Sequence, residues 1–151
     1  MPHFRMSLRL PWLIVFVFAA TPVYADLSDM AERSQAAGFL GKIVYVVFTR
    51  PAASPPADID RKALMTEHLN YQKELEKKGI MFGAGPLSVE GIDAQGMIMY
   101  RADSLAEAIR IADADPMHAK GVREYSIGQW LINEGTISIR VNFSNGSYEI
   151  Q

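Results

Sequence analysis

The run Ile43-Val44-Tyr45-Val46-Val47-Phe48-Thr49 constrains this chain more than any other feature. Dense in β-branched and aromatic residues and too short for an ordinary helix, it reads as a strand. Successive strand side chains point to opposite faces, so Ile43, Tyr45 and Val47 share one face while Val44, Val46 and Phe48 share the other. Both faces are apolar, and both need cover.

The segments that follow supply cover for one face. Arg50-Pro51-Ala52-Ala53-Ser54-Pro55-Pro56 is excluded from regular structure by its prolines and reads as a surface loop. Residues 60–78 then carry Leu64, Tyr71 and Leu75 at helical spacing, with Asp58 or Asp60 as the cap and Gly79 as the stop. Ile80–Leu87 and Gly96–Arg101 read as two strands of a hairpin. Ser104-Leu105-Ala106-Glu107 is a capping box opening a second helix, which must end near Asp115 because Pro116 disfavours helical geometry in the residue before it. Val122–Ile132 reads as a fourth strand.

Beyond Asn133, Ile137, Ile139, Val141 and Phe143 alternate with polar residues, and Asn145-Gly146 turns the chain toward a short last strand at Tyr148–Ile150. The order strand, helix, strand, strand, helix, strand describes an α+β, ferredoxin-like βαββαβ sheet with two helices on one face and an extra C-terminal β-hairpin at 133–151. Helices on one face leave the other apolar face bare. A second copy of the same sheet is the simplest cover, so the sequence predicts a homodimer; the hairpin is the alternative cover.

The N-terminal segment has the order of a secretory signal: Arg5 and Arg9, an apolar run from Leu10 to Ala20, then Val23 and Ala25 at the positions a signal peptidase reads. The run is well short of the ~20 residues a membrane-spanning helix needs. Cleavage after Ala25 is therefore expected, with a periplasmic or secreted product and no stable membrane anchor. Residues 26–41 read as a flexible lead-in with little structure of its own, and 42–132 as the domain proper. The leader holds two of the 15 basic residues and none of the 17 acidic ones, leaving the mature chain near −4. That balance argues against nucleic-acid binding. With no cysteine in the chain, disulfides and thiolate chemistry are excluded.

Imidazole chemistry in the mature chain falls to His68 or His118. His68 lies at i+4 from Leu64 and i−3 from Tyr71, on the inward stripe of its helix. It is either a core-edge histidine bonded to a carbonyl or hydroxyl, or a general acid or base with a carboxylate neighbour. Asp115 is the candidate carboxylate. It is also placed to cap the turn Pro116-Met117-His118-Ala119, and a capping carboxylate keeps a second oxygen free for an imidazole. Tyr45 and Tyr71 are candidates for orienting a ligand. Gly83-Ala84-Gly85-Pro86 lacks the lysine and following helix of a phosphate loop; its glycines, Gly85 with Pro86 in particular, suit close approach of a ligand to the strand. Two histidines 50 residues apart give no metal-ligand spacing, and no cofactor motif is present.

Tyr45-Val46-Val47, Glu67-His68-Leu69-Asn70-Tyr71, Gly79 with Gly83-Ala84-Gly85-Pro86-Leu87, Ser104-Leu105 with Glu107-Ala108, Asp113-Ala114-Asp115-Pro116 and Gly121-Val122 through Trp130 together resemble the YCII-related (YciI-like) family across about residues 42–132. The resemblance implies a dimeric α+β barrel built on a ferredoxin-like subunit, and an active site in which a histidine and an aspartate act together, at His68 and Asp115 here. One activity known in the family removes chloride from a chlorinated hydroxyhydroquinone, and related barrels isomerise or oxidise small ring compounds. Where the family usually has an aromatic residue after Asp-Pro, this chain has Met117. Two functions follow as expectations: a small exported enzyme of lyase or isomerase type acting without metal or cofactor on a compact, cyclic or aromatic molecule, or a non-catalytic dimeric ligand-binding or accessory module of the cell envelope.

Overall fold

A computed structural model describes residues 26–91 and 95–150. The expected secretory leader, residues 1–25, lies outside them. Chain order is α1 (Ser28–Ala36), β1 (Lys42–Pro51), α2 (Arg61–Lys77), β2 (Met81–Pro86), β3 (Gly96–Tyr100), α3 (Leu105–Asp113), α4 (Pro116–Ala119), β4 (Arg123–Ile132), β5 (Ile139–Asn142) and β6 (Ser147–Ile150). The first four strands form one antiparallel sheet in the order β2-β3-β1-β4, the ferredoxin-like arrangement expected from the element pattern.

Helix boundaries follow local chemistry. Asp60 caps α2 by accepting from the amides of Lys62 and Ala63, and Gly79 ends it at φ +70°, where a side chain would be strained. Ser104 caps α3 through the Glu107 amide, while the Glu107 carboxylate reaches past the serine to the Asp103 amide. The capping box is thus displaced by one residue on its return arm.

The helix-facing side of the sheet carries Tyr45, Val47, Ile98, Tyr100 and Ile127, which pack with Leu75 of α2 and with Ala108 and Ala112 of α3. A second cluster joins Leu64 of α2 to Met117 of α4 and Val122. This second cluster clamps α4 onto the N-terminal half of α2, and it is what brings the candidate residues together.

On the opposite face, Val44 and Val46 are only 2% and 8% exposed within a single chain, whereas Trp130, which is paired with Val44 across the β1–β4 ladder, is 48% exposed. The cover is partial. The hairpin does not complete it: β5 and β6 pair only with each other as a separate two-stranded sheet, and Phe143 is 95% exposed. Residues 26–41 also depart from expectation. They form α1, rich in alanine and in long polar side chains that favour helix without an apolar stripe to announce it. Ala31 is buried, α1 packs against β1, and Gln129 of β4 accepts from the Leu27 amide. No helix among the described residues is long and apolar enough to cross a membrane.

Candidate active site

Asp115 is fixed by its own backbone. Its φ of −63° and ψ of 125° place it as the N-cap of α4, Pro116 supplies the preset φ of the first helical position, and Asp115 Oδ1 accepts from the Met117 amide at 2.9 Å. The side chain is 0% exposed. Two residues of α2, one turn apart, meet it there: Gln72 Nε2 donates to Oδ2 at 2.9 Å, and His68 Nδ1 sits 2.8 and 2.9 Å from Oδ1 and Oδ2. Burial by itself would raise the Asp115 carboxyl. The hydrogen bond and charge of His68, the Met117 amide and the Gln72 amide outweigh burial and hold the carboxyl below the ordinary aspartate value of 3.8.

An ionised carboxylate only accepts, so His68 Nδ1 carries the proton shared with Asp115. In the neutral ring Nε2 is then a bare acceptor on the edge turned away from the carboxylate. His68 is half-buried and lines a cavity of about 600 Å³ bounded by α2, β2, β3 and α4. Met65, Leu69, Phe82 and Met117 supply apolar wall. Phe82 reaches it because a bulge between Met81 and Gly83 inserts one extra residue into β2 and re-aims the side chain. Arg101 packs over the Phe82 ring at 4.8 Å.

A second polar chain lines the same cavity. His118 Nδ1 lies 2.7 Å from the Ala112 carbonyl, which can only accept, so Nδ1–H donates there. In the neutral ring its Nε2 accepts from Thr49 Oγ1 at 3.1 Å, and Thr49 Oγ1 in turn accepts from Arg123 Nε at 3.0 Å. Tyr125 packs on the His118 ring with centroids 4.6 Å apart. In their neutral rings His68 and His118 therefore differ: among the described residues Nε2 of His68 has no hydrogen-bond partner, while His118 spends both nitrogens on protein partners. Among the described residues no group of three or more potential metal ligands comes together.

Comparison with known proteins places the sequence in a family. The model of the YCII-related domain matches residues 42–131, which run from the first residue of β1 almost to the end of β4. The chain belongs to the YCII-related family. Its matched segment contains His68, Asp115, Gln72, Thr49 and Arg123, and excludes α1 and the hairpin. Among solved structures it is similar to 5-chloro-2-hydroxyhydroquinone dehydrochlorinase from Burkholderia phenoliruptrix AC1100, solved in complex with 2,5-dihydroxybenzoquinone, at 19% identity and a TM-score of 0.43, covering 58% of this chain and 92% of that one. No curated protein matches it.

Of the residues singled out in sequence, His68 and Asp115 are brought into contact, and Gly85 and Pro86 line the cavity beside them. The two tyrosines are not brought there. Tyr45 is buried in the main core, on the same strand face as Val47. Tyr71 is half-buried and turns toward α3, donating its hydroxyl to the Ile111 carbonyl at 2.7 Å; burial and the charge of Asp115 raise its pKa. Gln72, Thr49 and Arg123 are polar residues lining the cavity that sequence reasoning missed. Gln72 alone carried a signal, standing at i+4 from His68 on the inward stripe.

Proposed function

We propose that this member of the YCII-related family is a small enzyme, of lyase or isomerase type, that uses His68 and Asp115 to move a proton on a compact cyclic or aromatic molecule. The observation that carries the reading is the 2.8 Å pairing of His68 Nδ1 with a fully buried carboxylate at the wall of an open cavity. Asp115 fixes the tautomer, stabilises the imidazolium that forms on proton uptake, and stays ionised throughout. His68 Nε2 takes the substrate proton and returns it at another atom or to the leaving group. A positioned base of this kind contributes ~10²–10⁴ in rate. The mostly apolar wall around Phe82 and Met117 supports a ring-sized organic substrate.

The same reading includes export, with residues 1–25 as the signal, and a homodimer formed through the sheet face that carries Trp130, whose exposure supports an unfilled contact.

The test is a panel of small phenols, quinones and lactones incubated with the protein in D₂O, monitored by NMR for solvent deuterium incorporation and for loss of halide from chlorinated members. Turnover or exchange of a panel member is expected, and His68→Ala should abolish it while the circular dichroism spectrum is retained. A His68→Ala rate equal to wild type would remove the mechanism. Binding of panel members without exchange or turnover would leave a ligand-binding module in its place.

A further inference from the structure

Arg123 stands in the cavity wall without a counter-charge. Its guanidinium is half-buried, and among the described residues no carboxylate lies within ion-pair distance of it. Its partners are neutral: Nε donates to Thr49 Oγ1 and Nη2 to the Thr49 carbonyl, both at 3.0 Å. One residue therefore occupies the side-on edge of the guanidinium and fixes the plane of the group. Among the described residues Nη1 has no hydrogen-bond partner, which leaves the terminal edge, with one N–H from each Nη, open. Two parallel N–H donors in that arrangement match the two oxygens of a carboxylate.

The surroundings favour a bound anion. Arginine stays charged at neutral pH, and leaving a partly desolvated cation unpaired is costly. Burial lowers the Arg123 pKa and the charge of Asp115 opposes it, but no ion pair joins the two among the described residues, the Asp115 oxygens meeting His68, Gln72 and the Met117 amide instead. Thr49 is buried and joins Arg123 to His118, so the guanidinium is held by the same framework that seats α4 and the dyad. Lys73 and Glu76, which also line the cavity, are exposed and carry opposite charges.

We propose that the substrate is a small carboxylate with an apolar body, its carboxylate seated on the open edge of Arg123 and its body against Phe82 and the methionines, within reach of His68. The proposal rests on the proton-transfer reading for the role of His68, but anion recognition itself does not depend on it. Arg123 is the residue that selects substrates by charge.

Benzoate and benzamide, alike in shape and different in charge, are the probes. In NMR titrations of the full chain that follow the Arg123 Nε–H resonance, benzoate should bind at least about tenfold more tightly than benzamide, the size of one charge-assisted pair. Arg123→Met should erase the preference, and Arg123→Lys, which keeps the charge without the fork, should retain only part of it. His68→Gln should keep the full preference, so failure of the proton-transfer mechanism would leave this result standing. Equal affinity of wild type for the two probes, no binding of benzoate, or an undiminished preference in folded Arg123→Met would overturn the proposal without touching the deuterium-exchange test of His68.

Discussion

Replacing Asp115 separates the structural role of its carboxylate from its charge. The side chain is fully buried and takes hydrogen bonds from three donors: His68 Nδ1, Gln72 Nε2 and the Met117 amide. Asp115→Ala strands two of them, because the Gln72 side chain and the Met117 amide are buried and have no second partner among the described residues, whereas half-buried His68 can turn its ring toward the cavity. An unsatisfied buried donor costs ~1–3 kcal/mol, so the loss should be ~3–4 kcal/mol, in line with breaking a buried charged pair. Asp115→Asn should cost much less. Its oxygen can keep the Met117 amide while its NH₂ faces Gln72, and a flip of the Gln72 amide would present Oε1, which is buried and unpartnered in the wild type. The expected loss is ~1–2 kcal/mol, the difference between a charged and a neutral hydrogen-bond acceptor. Urea unfolding at pH 7 measures both. An Asp115→Ala loss below about 1 kcal/mol, or equal losses in the two variants, would refute the claim that this carboxylate organises the donors around it.

Three further outcomes follow. The native Asp115 carboxyl lies below its ordinary 3.8, so its contribution to stability is complete well above that value and is lost as pH falls through 3.8 toward the lower native value; acid titration of unfolding free energy should show this decline in wild type and a weaker one in Asp115→Asn. Tyr100 is fully buried and its hydroxyl has no hydrogen-bond partner among the described residues, so Tyr100→Phe should leave thermal stability unchanged or raise it, and a loss above about 1.5 kcal/mol would reveal a partner for that oxygen. If the face bearing Trp130 joins two copies, Trp130→Glu should shift sedimentation from dimer to monomer at unchanged secondary structure, whereas a wild type that already sediments as a monomer would dismiss the interface.

The parts of the fold that were legible in sequence are those written in local chemistry. Asp60, Ser104 and Asp115 cap their helices where short-range rules place them, and the alternation along β1 correctly assigns Val47 and Val44 to opposite faces. His68 was legible for the same reason, since spacing from Leu64 fixes its direction on α2. Strand phase put Tyr45 on the face of Val47, and that face is the helix-covered core rather than the cavity wall expected of a ligand-orienting residue. The Thr49–Arg123 link had no such signal: it depends on the β1–β4 register, which sets Pro51 opposite Arg123 and Thr49 two residues earlier in β1. Phe82 enters the cavity through a bulge that no pattern in Met81-Phe82-Gly83 announces. Helix α1 was missed because alanine and long polar residues favour helix without leaving an apolar period, and the hairpin was recognised as a hairpin but not as a sheet of its own.

The nitrogen shifts of the neutral His68 ring bear most directly on a dyad that aims one basic lone pair at the cavity. A ¹⁵N-detected spectrum of the ring should show Nδ1 protonated and coupled to its hydrogen, with Nε2 at the shift of an unprotonated nitrogen, and Asp115→Ala, which removes both acceptor oxygens, should release that fixed tautomer. A proton resident on Nε2, with Nδ1 bare beside the carboxylate, would contradict the account.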